Sequence, residues 1–171
     1  RTRWASAADY VADVAQVAAD IGSTPIVIGH SMGGYVVQKY LETYAAPAGV
    51  LLASIPSHGI LPFTLRMTIR HPLQMLQTLL FFDPYPLVGT FERMQDAFFS
   101  PSVPREKLER YFSLIQTESF RLILDSLLLN LPRPRRVKTP LLVLGAANDR
   151  VFNVSEEQST ARVYATQAEI F

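Results

Sequence analysis

A short β-branched run, Pro25-Ile26-Val27-Ile28, passes without a polar break into Gly29-His30-Ser31-Met32-Gly33-Gly34. An apolar run without alternation reads as a strand buried on both faces of a parallel sheet. The residues after it carry a helical stripe. Val36, Val37, Tyr40, Leu41 and Tyr44 share one side, while Gln38, Lys39 and Glu42 face away. A strand that gives way to a helix so abruptly needs a tight turn. Gly29 and Gly33 read as positions where a Cβ would strike the turn or the returning helix, and Gly34 as clearance between helix and sheet. Chemistry at Ser31 needs its hydroxyl lifted out at the carboxyl end of the strand, and putting it there forces the serine backbone into a strained conformation. The competing reading is a glycine-rich turn in which Ser31 merely caps the helix.

The rest of the chain repeats the alternation of strand and helix. Ser6-Ala7-Ala8-Asp9 has the pattern of a capping box, followed by apolar residues at Val11, Val14, Val17 and Ile21 and a stop at Gly22. Gly49–Ser54, Pro140–Gly145 and Ala168–Phe171 read as further strands, with a helix between Ser155 and Ala165. Such alternation predicts an α/β fold with a mostly parallel sheet flanked by helices. The proline-rich middle shows helical patterns only, roughly Leu73–Phe82, Leu87–Phe99, Arg105–Gln116 and Ser119–Asn130. The expected organisation is therefore residues 1–56 as one part of the core, 57–136 as a helical insertion, and 137–171 as the second part of the core.

With strand before and helix after, Ile26 to Gly34 resembles the nucleophile elbow of the α/β-hydrolase superfamily, in its esterase and lipase-like branches. Pro140-Leu141-Leu142-Val143-Leu144-Gly145-Ala146-Ala147-Asn148-Asp149 resembles the acid-bearing strand and turn of the same family. The resemblance implies that 57–136 is a cap or lid. It also implies that Ser31 is a covalent nucleophile, that the Met32 backbone N–H is an oxyanion donor, and that Asp149 orients the base. A plain polar turn at Asn148-Asp149 is the alternative. Asp83 and Asp125 are weaker acid candidates because they lie in the insertion.

A serine hydroxyl needs a base, and the family order along the chain is serine, acid, histidine. The sequence holds only His30, His58 and His71, all of which precede Asp149. His30 is expected to point away from its neighbour Ser31, and His71 reads as a loop residue. His58 either touches substrate at the pocket mouth or is simply a loop histidine. The expected base therefore follows the strand at Ala168–Phe171, and a second oxyanion donor is expected upstream of Ser6. Both ends of the chain read as cuts through a larger protein.

The implied activity is a serine hydrolase acting on carboxylic esters or related acyl compounds through an acyl-enzyme on Ser31. Acyltransferase, perhydrolase, carbon–carbon hydrolase or lyase chemistry fits the same fold, as does a non-catalytic ligand-binding member. The apolar residues of Phe120–Leu129, with Leu76, Leu79, Leu80, Phe81 and Phe82, either line a pocket for a small hydrophobic ester or acyl substrate or only pack the cap.

Composition narrows the field. The formal net charge of +1 gives no reason to expect nucleic acid, and the basic stretch Pro132–Lys138 reads as a solvated connector. Without cysteine there is no disulfide, thiolate nucleophile or cysteine metal site, which suits a reducing, cytoplasmic setting. No phosphate loop, dinucleotide fingerprint or metal-ligand cluster is present, so neither cofactor nor metal is expected. No apolar run is long enough for stable membrane insertion. The 171 residues alone are expected to aggregate and to be inactive toward esters. Histidine-dependent ester hydrolysis by this chain in isolation would contradict that.

Overall fold

A computed structural model describes residues 2–100 and 102–171. The first helix, α1 (Ala7–Ile21), begins as the sequence predicts. Ser6 and Asp9 cap each other reciprocally, and the helix ends at Gly22 in the left-handed conformation with φ +72°. It leads into β1 (Val27–His30), α2 (Met32–Tyr40) and β2 (Gly49–Leu52). β3 (Leu141–Gly145), α8 (Val154–Val163) and β4 (Ala168–Ile170) complete the core. The four strands form one parallel sheet in the order β1-β2-β3-β4.

Between β2 and β3 the described residues form helices and turns only. They are α3 (Leu61–Arg70), α4 (Pro72–Phe81), α5 (Phe91–Phe98), α6 (Arg105–Ser113) and α7 (Phe120–Leu124). The expected single helix over Ser119–Asn130 changes character in its middle. After Leu124 the chain widens into a π turn, Asp125–Leu129, in which the Asn130 N–H reaches back to the Asp125 carbonyl. There Asp125 is fully buried, where it accepts the Ala7 N–H at the start of α1 (2.9 Å) and the Arg121 Nε–H (2.9 Å). Helix α3 was not among the expected helices. Its signal is Pro62 in the first turn, but its apolar residues are spread around the helix and blur the period.

The strand order follows the chain order. Right-handed crossovers running in one direction along a sheet place their helices on one face. Accordingly Val27, Leu51 and Val143 pack against Val37 and Tyr40 of α2, Ala161 of α8, and Val11 and Val14 of α1. The opposite face is not covered, which corrects the expectation that β1 is buried on both sides. Val27 is 8% exposed but its neighbour Ile28 is 67% exposed, and Leu52 and Leu142 on the same open face are also exposed. No helix among the described residues is long and apolar enough to cross a membrane.

The elbow glycines do not share one role. A Cβ on Gly29 would run into the Gly33 carbonyl and stand 2.7 Å from the Gly34 Cα. A Cβ on Gly34 would strike the Ser54 side chain, whose Oγ is already bonded to Gln38 and Ile55. A Cβ on Gly33 meets nothing outside its own helix, so the collision expected there does not occur. Gly34→Ala is expected to cost about 2 kcal/mol by overpacking. Gly33→Ala is expected to be neutral or to gain up to about 1 kcal/mol from helix propensity. Urea unfolding of the two variants checks the contrast.

Candidate active site

The turn between β1 and α2 is built around Ser31. Its backbone has φ +52° and ψ −119°, a conformation L residues rarely hold, with a cost of order 1–3 kcal/mol. Backbone hydrogen bonds hold it from both sides. The Ser31 N–H donates to the Leu52 carbonyl (3.1 Å), and the Ser31 carbonyl accepts from the N–H groups of Gly34 (3.0 Å), Tyr35 (3.4 Å) and Ile55 (3.1 Å). An ordinary capping serine has an extended backbone and turns its oxygen onto the helix. Ser31 has neither property: its side chain makes no capping bond. Met32 is the first residue of α2, so its N–H has no acceptor within the helix and faces the turn at the positive end of the helix dipole.

A buried polar network backs this turn. The Gln38 amide NH2 donates to the Ile55 carbonyl (2.8 Å) and the Ser54 Oγ (3.1 Å), and its oxygen accepts from the Tyr164 hydroxyl (3.0 Å). Gln38 and Ser54 are wholly buried. Burial pushes the Tyr164 hydroxyl well above the ordinary phenol range, so it stays a donor at all physiological pH values. The elbow helix, the end of β2 and the end of α8 are thereby joined by fully satisfied hydrogen bonds.

Asp149 follows β3 in the turn leading to α8. One carboxylate oxygen, Oδ1, accepts the N–H groups of Val151 (2.7 Å) and Phe152 (3.2 Å), so Asp149 does form a polar turn. The other, Oδ2, takes part in no hydrogen bond among the described residues, which leaves it able to receive an imidazole N–H.

Ser31 and Asp149 line one cleft of about 1160 Å3. His30, Ala53, Asn148 and Arg150 also border it at the strand ends. Its apolar side comes from α5, α6 and the segments after them, including Met94, Phe98, Phe99, Tyr111, Leu114 and Ile115. The structure corrects the expected pocket lining. Leu76, Leu79, Leu80, Phe81 and Phe82 lie away from the cleft and are exposed, Leu122 is buried in the core, and Phe120 is buried with its ring against Trp4 and Phe82. Helical pattern showed that these residues are apolar but not which helix lies over the strand ends.

The other expected residues separate clearly. His58 is exposed and does not border the cleft. Met32 packs its side chain against the core cluster around Tyr35 and Phe152. His30 does reach the cleft, although it hydrogen-bonds to neither Ser31 nor Asp149. His71 lies 3.9 Å from the Asp96 carboxylate. Asp125 is engaged with α1, and Asp83 with Thr117, Tyr85 and Arg3, so neither faces the cleft. No cluster of metal-binding side chains exists among the described residues. Replacing Asp149 separates its two uses. Asp149→Asn keeps an oxygen for both N–H groups and should change stability by less than about 0.5 kcal/mol. Asp149→Ala leaves both unpaired and should cost about 1–3 kcal/mol, read by thermal or urea unfolding.

The profile of the alpha/beta hydrolase family matches residues 1–170. No curated protein matches the chain at the sequence level. Among solved structures, an esterase from Exiguobacterium antarcticum superposes with TM-score 0.68 at 15% identity, over 97% of this chain and 65% of its own. Est816, described as an N-acyl homoserine lactone degrading enzyme, gives 0.67 at 14% identity, over 100% of this chain and 68% of its own. A monoacylglycerol lipase from Paleococcus ferrophilus gives 0.63 at 16%, over 98% and 65%. The chain thus spans about 65% of the length of the esterase. Its parallel sheet, flanking helices and matching profile place it: the chain belongs to the alpha/beta hydrolase family.

Proposed function

We propose that the chain carries the nucleophile and the acid of a serine hydrolase that cleaves carboxylic esters or related acyl compounds. One observation carries the reading. Ser31 occupies a cap position without capping, in a strained backbone, beside a cleft that also holds Asp149. Strain maintained by four backbone hydrogen bonds around a hydroxyl with no structural duty is the pattern of a preorganised nucleophile.

In this reading the Ser31 Oγ attacks the substrate carbonyl. The Met32 N–H donates to the oxyanion, and the helix terminus adds its partial positive charge. The alcohol or amine leaves with a proton, and water then releases the acid from the acyl-enzyme. The proton is carried by a histidine held on Asp149. Among the described residues none of His30, His58 and His71 is hydrogen-bonded to Ser31 or Asp149, although His30 borders the same cleft. The apolar side of the cleft, with Phe98, Phe99, Leu114 and Ile115, suits an acyl chain or similar hydrophobic group.

A panel of nitrophenyl esters of increasing acyl length, turned over by the full-length protein, tests this. Ser31→Ala should reduce turnover to background, and Asp149→Asn should lower kcat by on the order of 10^4. Unchanged turnover in Ser31→Ala would remove Ser31 from the mechanism.

A further inference from the structure

Glu157 is an anomaly in the core. It lies in the first turn of α8, is 1% exposed, and neither of its carboxylate oxygens has a hydrogen-bond partner among the described residues. Its neighbour Glu156 is accounted for: it closes the capping box with Asn153 and takes a bidentate ion pair from Arg66 at 3.1 Å. Glu157 has no such duty. Its side chain lies over the last residue of β3, where a Cβ on Gly145 would come within 3.0 Å of its Cγ. The charged groups around it are both negative: Asp149 from the turn after β3 and Glu156 on its own helix. The end of β2 presents only the uncharged Ser54, whose N–H approaches the carboxyl without reaching hydrogen-bond geometry.

An ionised carboxylate in such a place is very unfavourable, because its lost hydration is not replaced and a second carboxylate stands close by. We propose that Glu157 is a positioning residue, held as a neutral carboxylic acid in the core beside the Asp149 turn, so that this turn has one negative charge at it and not two. The inference rests on Asp149 being the acid of the proposed site, but its physical core concerns only the two carboxyls. Burial and the negative charge of Asp149 push the Glu157 carboxyl up to about 8. As pH rises past that value Glu157 ionises, the two carboxylates repel, and the Asp149 turn is disturbed. Because the folded chain keeps a proton that the unfolded chain has lost, stability falls as pH rises between the ordinary carboxyl value of 4.5 and about 8.

The experiment is a pH titration of the full-length protein by NMR, with labelled glutamate carboxyls and backbone amides. One glutamate carboxyl, absent in E157Q, should titrate near pH 8. The Val151 and Phe152 amide signals, which report the Asp149 turn, should shift with the same midpoint and lose that shift in E157Q. The wild-type Tm should fall relative to that of E157Q between pH 5 and pH 8.5. If E157Q fails to fold, the wild-type carboxyl and amide midpoints still decide the matter. A Glu157 carboxyl titrating in the ordinary carboxylate range, or amide signals indifferent to it, would overturn the proposal. None of these readings depends on turnover, so an active Ser31→Ala would defeat the proposed function while leaving this test intact.

Discussion

Everything at the cleft depends on one strained residue. Ser31 is held at positive φ because the surrounding backbone leaves no other course. Gly29 lets the returning helix approach within contact distance, Gly34 lets that helix lie on Ser54, and the Leu52 carbonyl and Ile55 N–H grip the serine on either side. The strain costs of order 1–3 kcal/mol, and the buried network through Gln38, Ser54 and Tyr164 helps offset it. Ser31 and the β2–α3 junction are therefore not independent. The Ile55 N–H that secures the serine carbonyl belongs to the residue whose carbonyl accepts from Gln38.

The parts of this arrangement written in local sequence were legible. An unbroken β-branched run, glycines at fixed offsets and a helical stripe required a strand, a sharp turn and a helix, and the capping box at Ser6 placed α1 correctly. The sequence also led to Asp149, because strand and turn residues adjoin it. What local pattern does not contain is which face of an element finds a partner. Ile28 and Val27 look alike in sequence, yet one lies on the open side of the sheet and the other in the core. The same limit misplaced the pocket lining. Leu76 to Phe82 is the more apolar stretch of sequence, and only the path of the chain puts the scattered apolar residues of α5 and α6, such as Met94, Phe98 and Tyr111, over the strand ends instead. Glu157 was invisible for a related reason. Two consecutive acids at the start of a helix read as dipole-favouring surface residues, and nothing in their order tells that one pairs with Arg66 while the other turns inward.

The helices between β2 and β3 are fastened to the core at several separate places. Arg66 of α3 holds both Glu156 and the Val151 carbonyl (2.7 Å). Arg150, beside Asp149, donates to the Asp96 carbonyl and carboxylate at 3.2 Å. At the far side, Ser119 bonds the carbonyls of Arg3 and Ala5, and Asp125 caps α1. The exposed pair between Arg150 and Asp96 contributes little, about 0.2–1 kcal/mol. Contacts to the buried Glu156 hold the first half of the helical segment, and contacts made by the buried Asp125 and Ser119 hold the second.

The cleft is thus composed of two materials from different stretches of chain. Its floor, with Ser31, Ala53 and Asp149, is made of strand ends whose positions are dictated by backbone pairing. Its roof, with Met94, Phe98, Tyr111 and Leu114, is made of side chains on short helices that share no hydrogen-bond ladder with the sheet. Substitutions in the roof can reshape the cavity one side chain at a time while the floor keeps its geometry. Such a division lets selection explore new ligands by altering volume and shape overhead, at little risk to the atoms beneath.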